Sequence, residues 1–98
     1  MTVVIFRNRL RPEAAESYAE VAHEMEELAQ EQPGFLRMKS FVAADGERVT
    51  LAEFEDEVAV RAWGEHAAHK AAQERGRSEF YSAFHLQVCE VTRERRFP

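Results

Sequence analysis

The chain has 98 residues, 45% hydrophobic and 32% charged, a composition typical of a folded, soluble domain and not of a disordered or membrane-spanning segment. Acidic side chains outnumber basic ones by 18 to 13, which gives a net charge of -5, so we expect no nucleic-acid partner. The single cysteine, Cys89, excludes an intramolecular disulfide and a cysteine-based zinc cluster. Only four consecutive apolar residues precede Arg7, so we expect no signal peptide, no membrane anchor, a cytoplasmic location and one domain over residues 1–98.

The first two predicted elements are a strand and a long helix. Val3 to Leu10 is short and rich in β-branched and aromatic residues, which favours a strand. Pro12 suits the first turn of a helix, and Pro33-Gly34 suits its end. Between them one apolar stripe advances by alternating steps of four and three residues, through Ala14, Tyr18, Val21, Met25 and Leu28.

The rest of the chain predicts a hairpin, two helical stretches and a final strand. Residues 35–55 form two extended runs around Asp45-Gly46, a dipeptide that favours a tight turn. Asp56 can cap a short helix that carries Trp63, and Gly64 is a plausible place for this helix to stop or bend. A second helical stretch covers 65–78, and residues 80–94 return to extended, aromatic and β-branched sequence.

This order of elements predicts an α+β, ferredoxin-like βαββαβ fold, with a four-stranded antiparallel sheet and the helices on one face. The strands are apolar on both sides: Val4 and Phe6 alternate with Val3 and Ile5 in the first strand. Two helices cover one side only, so the other side needs a second cover. An identical chain commonly supplies one, and we therefore predict a homodimer with its sheets face to face.

Several stretches resemble the antibiotic biosynthesis monooxygenase (ABM) domain: "VIFRNRLRPE", "QPGF", "LAEFEDEVAVRAWGEHAAHKAAQERGRSEFY" and "VCEV". The resemblance covers nearly the whole chain and implies a dimeric α+β barrel. Members of this family include oxygenases of phenolic polyketides and quinols that use no metal or flavin, haem-degrading oxygenases, and many proteins with no known activity. Such oxygenases need an apolar cavity that holds the substrate dry and a few polar groups that accept its proton and stabilise negative charge.

Trp63 and its helix supply the first candidate residues. The resemblance places Trp63 on a tryptophan that lines the pocket in several members, although a buried indole that only anchors its helix is an equal alternative. On a continuous helix Trp63, His66 and Gln73 share one stripe and His69 turns away, unless Gly64 breaks the register. His66 is then the better candidate to take a phenolic proton, against the alternative of a half-exposed surface histidine. Two histidines three residues apart do not make a metal site, and we expect no metal.

Asn8 is the third candidate, because it shares the strand face of Phe6 and its amide can hold an oxygen or a phenol. The alternative is a contact at the end of the strand. Asn8 and Trp63 also resemble the haem-degrading branch, whose histidine lies ten residues after the tryptophan. Here that residue is Gln73, so the haem ligand of that branch is missing.

The resemblance, together with these polar residues, implies a cofactor-independent monooxygenase that oxidises a small phenolic or quinol-like compound with dioxygen. Asn8, Trp63 and His66 are the catalytic candidates, and the substrate-binding candidates are Phe6, Phe54, His69, Gln73 and Tyr81. Two alternatives stay open. One is a haem-binding or haem-degrading protein, and the other is a non-catalytic dimeric ligand-binding or stress protein of the same fold.

Overall fold

A computed structural model describes residues 1–98 and contains four strands and three α-helices. In chain order the elements are β1 (Thr2–Leu10), a 3-10 turn (Pro12–Ala14), α1 (Ala15–Gln30), β2 (Phe35–Val42), β3 (Arg48–Phe54), α2 (Glu57–Glu65), α3 (Ala67–Arg75), a π-helical turn (Gly76–Phe80) and β4 (Tyr81–Glu90). The last strand ends at Glu90, four residues before the predicted end.

The strands form one antiparallel sheet in the order β2-β3-β1-β4. This is the predicted ferredoxin-like α+β topology, with β1 and β3 in the centre and β2 and β4 at the edges. The hairpin between β2 and β3 turns at Gly46, whose φ of 92° lies in the left-handed region that favours glycine. Gly34 has a φ of 81° and allows the chain to turn from α1 into β2.

The helical region after β3 is divided in two, and the division is at His66, two residues beyond the predicted Gly64. Asp56 caps α2 as predicted, because its side chain accepts a hydrogen bond of 2.9 Å from the backbone N–H of Ala59. Gly64 lies inside α2, whereas His66 has an extended ψ of 129°. One extended residue resets the helical register, so side chains in α3 do not continue the stripes of α2.

A buried apolar cluster lies at one end of the helix-bearing face. Ala29 of α1, Trp63 of α2, and Ala52 and Phe54 of β3 form the buried cluster. Phe54 and Ala29 are fully buried. The cluster joins α1 and α2 to the central strand β3 at this end.

No helix of the chain covers the opposite face of the sheet. On that face Ile5 of β1 lies beside Leu51 of β3 in the strand register. Leu51 is 37% exposed and Phe41 of β2 is 47% exposed. The two-sided apolar character predicted for the strands is therefore present in the folded chain. None of the helices is both long and apolar enough to cross a membrane.

Candidate active site

A cavity of about 360 Å³ lies between the helices and the sheet. Its wall is mainly apolar, since 17 of the 24 lining residues are hydrophobic. Five candidate substrate-binding residues line this cavity, as does Trp63; the five are Phe6, Phe54, His69, Gln73 and Tyr81. The cavity has the size and apolar lining of a site for a small organic ligand.

At one end of the cavity the indole of Trp63 stacks on the imidazole of His69. The ring centroids are 4.2 Å apart and the planes differ by 11°. Nδ1 of His69 lies 2.9 Å from the carbonyl oxygen of Trp63. A carbonyl oxygen only accepts hydrogen bonds, so Nδ1 carries the proton, and in the neutral ring Nε2 has a free lone pair.

Burial lowers the pKa of His69, and the positive charge that His66 can carry lowers it further, while the hydrogen bond to the Trp63 carbonyl opposes these effects. Since the pKa falls from an ordinary value near 6.5, the imidazole is neutral at pH 7. His69 is thus a half-buried, neutral base in the wall of an apolar cavity.

His66 occupies a different position from the one that a continuous helix predicts. It does not line the cavity. Its Nδ1 accepts a hydrogen bond of 3.2 Å from the backbone N–H of Ala68 and so caps the start of α3. Its ring centroid is 5.6 Å from that of Trp63, at a tilt of 46°. The prediction that His66, and not His69, is the better partner of Trp63 is wrong, because the helix restarts at His66.

Asn8 is on the predicted side of β1 but is not part of the cavity wall. Its side chain is buried, with 2% of the residue exposed, and neither amide atom has a hydrogen-bond partner. In the register Asn8 lies between Arg48 of β3 and Phe84 of β4. It also borders a second, smaller hollow of about 170 Å³ beside the end of β1.

Two tyrosines face each other at the end of the cavity that is near Asn8. The rings of Tyr18 and Tyr81 meet edge to face at 5.9 Å, and both residues line the cavity. Burial raises the pKa of Tyr81, Tyr18 raises it further, and the positive charge of Arg48 acts in the opposite direction. Tyr81 is therefore a neutral phenol at pH 7 and can donate a hydrogen bond.

Five polar residues of the cavity wall were not predicted as site residues. They are Tyr18 and Glu26 of α1, Ser40 of β2, Thr50 of β3 and Arg77 of the π-helical turn. Tyr18 lies on the apolar stripe of α1, which is a signal for a core-facing position but not for a site. Glu26 and Arg77 carry no signal in the sequence, because their approach to the cavity depends on how the helices pack.

The structure gives no sign of a haem site at the position that the haem-degrading branch uses. Gln73 lines the cavity, but its carboxamide is not one of the side chains that hold haem iron. His69 lies one turn earlier and is stacked flat on Trp63. No three histidine, cysteine or carboxylate side chains lie close enough together to hold a metal ion.

The chain is thus a ferredoxin-like α+β domain with a ligand-sized cavity between the sheet and the helices. The family model described as "Antibiotic biosynthesis monooxygenase" matches residues 1–75. The chain is also 38% identical over 94 residues to the uncharacterized protein YqjZ of Bacillus subtilis, covering 96% of this chain and 82% of that protein. The chain belongs to the antibiotic biosynthesis monooxygenase family.

Two further similar proteins are named as oxygenases. The chain is 32% identical over 95 residues to the jasmonate monooxygenase ABM of Pyricularia oryzae, with 94% of this chain covered. It spans only 44% of the length of that protein. SnoaB, a cofactor-independent oxygenase from Streptomyces nogalater, superposes with a TM-score of 0.80 over 95% of this chain and 94% of that chain. At 16% identity, that likeness concerns the fold.

Proposed function

We propose that the protein is a cofactor-independent monooxygenase that oxidises a small phenolic or quinol-like compound with dioxygen, and that His69 is its general base. The observation that carries this proposal is the neutral imidazole of His69 in the wall of an apolar cavity. Its Nδ1–H is held by the Trp63 carbonyl, so Nε2 is left to accept a proton. Membership of a family that includes monooxygenases agrees with this chemistry.

The reaction needs no reductant beyond the substrate. Nε2 of His69 takes the phenolic proton, and the electron-rich phenolate transfers electrons to dioxygen. A C–O bond then forms at a ring carbon that carries hydrogen, giving a hydroperoxide. Loss of that hydrogen as a proton, with cleavage of the O–O bond, leaves a quinone carbonyl and releases water. One oxygen atom enters the product and the other enters water, and the substrate supplies all four electrons.

The other residues of the cavity position the substrate and exclude water. The aromatic wall around Phe6 and Phe54 accepts a flat ring, and an apolar surrounding makes each polar contact stronger than it is in water. The stacked Trp63 fixes the plane of His69. The neutral phenol of Tyr81 can donate a hydrogen bond to an oxygen of the substrate or to the charge that develops during the reaction.

The proposed assembly is a homodimer that buries the helix-free face of the sheet. Ile5, Phe41 and Leu51 contribute to this apolar face, and no element of the chain covers it. Two copies related by a two-fold axis would cover each other there and leave both cavities free on the outer sides.

Oxygen consumption tests the proposed activity. The protein is incubated with a panel of hydroquinones and naphthols in an oxygen-electrode cell, and the rate is compared with the rate of autoxidation without protein. With ¹⁸O-labelled dioxygen, one labelled atom is expected in the quinone. His69→Asn should lower the rate by about 10²–10⁴-fold, as expected for loss of a general base. His66→Asn separates the two neighbouring histidines and should retain most of the activity.

His23→Asn controls for the general effect of replacing a histidine, because His23 is exposed on α1, away from the cavity, and pairs with Glu27. An uptake rate equal to autoxidation across the whole panel would exclude the proposed reaction and favour a non-catalytic ligand-binding or stress protein of the same fold. Activity that survives in His69→Asn but is lost in His66→Asn would overturn the assignment of the base.

A further inference from the structure

The cavity is larger than a single phenolic ring requires. A water molecule takes about 30 Å³ in the liquid, so a cavity of about 360 Å³ has room for roughly twelve atoms of that size. Hydroquinone has only eight non-hydrogen atoms. A ligand that fills the cavity therefore carries a substituent besides its phenolic ring, and the chemistry of this substituent must match the part of the wall that it contacts.

One side of the cavity is formed by three apolar side chains of β4, which we call the β4 stripe: Phe84, Leu86 and Val88. They lie on the helix-bearing side of the sheet, because Leu86 is opposite Phe6 and Val88 is opposite Val4 in the register, and Phe6 and Val4 also line the cavity. The rings of Phe84 and Phe6 are 5.9 Å apart between centroids. The stripe is thus continuous with the aromatic interior of the cavity.

The β4 stripe also extends out of the cavity. β4 is an edge strand, whereas α1 packs against β2, and α2 packs against β1 and β3, so these two helices lie mainly over the other three strands. The three side chains of the stripe are 45–50% exposed although they line the cavity. Each of them therefore contributes one part to the wall and leaves another part in solvent. The stripe forms an apolar opening along which part of a ligand can leave the cavity.

The stripe contains no polar side chain. The residues between its members, His85 and Gln87, lie on the helix-free face, because successive side chains of a strand alternate between the two faces. The charged residues of the cavity wall, Glu26 and Arg77, belong to α1 and to the π-helical turn. A charged substituent would find no partner on the stripe, whereas a hydrocarbon chain would be removed from water there.

The exposed area of the stripe suits a small molecule better than a second copy of the chain. Even a large aromatic side chain presents no more than about 250 Å², so three half-exposed side chains present at most about 400 Å². A stable protein interface buries about 800 Å² on each partner. The stripe alone is therefore too small to hold two copies together, but it is large enough to cover the chain of a ligand that is already held in the cavity.

We propose that the β4 stripe is a subsite for an alkyl substituent, so that the ligand of the cavity is a phenol or quinol that carries an uncharged hydrocarbon chain. This inference deepens the proposed function and rests on it. The ring lies in the cavity within reach of His69, and the chain leaves the cavity along the stripe. From Phe84 to Val88 the stripe is about 13 Å long, which is the length of an extended chain of about ten carbons.

Calorimetric titration with homologous probes tests the subsite. 2-Methyl-, 2-butyl- and 2-octylhydroquinone are titrated under argon at pH 7, at concentrations at which the probes do not self-associate, so that binding is measured without turnover. A fully buried methylene raises the affinity about fourfold, and a methylene on a half-exposed surface raises it about twofold. The affinity should therefore rise by about 100-fold from the methyl to the octyl compound.

Polar substitutions on the stripe separate the subsite from general effects on folding. In the double variant Leu86→Gln/Val88→Thr the gain from methyl to octyl should fall below about tenfold. The affinity for the methyl compound should stay within about twofold, because this compound does not reach the stripe. Leu36→Gln is the matched control and should keep the full gain. Leu36 and Leu86 are both 47% exposed and lie on the two edge strands, but Leu36 does not line the cavity.

The proposal is overturned if 2-octylhydroquinone binds no more tightly than the methyl compound, if the gain persists in the double variant, or if Leu36→Gln removes it. A change of oligomeric state that the double variant causes in sedimentation would assign the stripe to a second copy of the chain, and this would overturn the proposal too. These outcomes are independent of the oxygen-uptake result. A gain with chain length but no oxygen uptake would retain the subsite and exclude the oxygenase, whereas oxygen uptake without the gain would retain the oxygenase and exclude the subsite.

Discussion

Replacing Gly76 with alanine should destabilise the protein, because the added methyl group has no room beside Tyr81. A Cβ at Gly76 would lie 2.5 Å from Cε2 and 3.1 Å from Cδ2 of Tyr81. Carbon atoms in contact are normally about 3.5–4.0 Å apart, so the ring must move by about 1 Å. The ring is held by Phe6 at 5.4 Å and Tyr18 at 5.9 Å, which limits this movement.

The magnitude follows from two opposing effects. Overpacking of a filled site costs about 1–3 kcal/mol, and alanine gains about 0.5–1 kcal/mol over glycine in a helical backbone. The net expectation is a loss of about 1–2 kcal/mol in the free energy of unfolding. Urea denaturation followed by the fluorescence of Trp63 measures this change, since Trp63 is the single tryptophan and is buried.

Gly64→Ala is the matched control. A Cβ at Gly64 meets no atom within 4 Å, so this variant should gain about 0.4–1 kcal/mol. A double-mutant cycle isolates the clash: in the Tyr81→Leu background, Gly76→Ala should cost much less, because the ring is absent. If Gly76→Ala stabilises the protein as Gly64→Ala does, or if its cost is the same with and without the Tyr81 ring, the reasoning is refuted.

Four further predictions concern the helix cap, the half-buried His69, the helix-free face of the sheet and haem. Asp56→Ala removes the hydrogen bond to Ala59 and should lower the free energy of unfolding by about 1 kcal/mol in urea denaturation. Burial depresses the pKa of His69 in the folded state. Its contribution to the free energy of unfolding should therefore be complete above the unfolded pKa of about 6.5, and it should be lost as the pH falls from there through the folded pKa. Leu51→Arg should convert the proposed dimer to monomers in sedimentation at micromolar concentration, because it places a charge on the apolar face. Haemin should produce no shifted Soret band, since Gln73 offers no ligand to the iron.

Each of these predictions has a contrary result. An unchanged midpoint for Asp56→Ala would mean that α2 does not depend on its cap. If the pH dependence between about 7 and 5 is as steep in His69→Asn as in the parent, His69 is not its source. A parent chain that already sediments as a monomer would exclude the dimer, and a Soret shift with bound haemin would revive the haem alternative.

The fold was predictable because its signals are local. The β-branched residues of β1, the apolar stripe of α1 and the Asp45-Gly46 turn each define an element by short-range patterns, and a short list of topologies accommodates their order. The aromatic lining of the cavity was predictable for a related reason, because strand parity places Phe6 and Phe54 on one face together with the helices.

The arrangement of the polar groups was not predictable to the same degree. The choice between His66 and His69 depended on whether the helix runs unbroken after Trp63, and the break at His66 exchanged the two side chains. The meeting of Asn8 with Arg48 joins residues that are distant in the sequence, and it follows from the register of β1 on β3. No spacing within either strand signals it.

The sequence by itself determined the order of the strands and helices, the apolar face of each element and the apolar lining of the cavity. These signals are local, because hydrophobic periodicity and turn residues act over a few neighbouring positions. Only the tertiary structure decided which histidine meets Trp63, that Tyr18 and Tyr81 face each other, and that the amide of Asn8 and Nε of Arg48 are buried without hydrogen-bond partners. These features depend on how separate elements are placed against each other. A register shift of one residue turns a buried side chain to the exposed face.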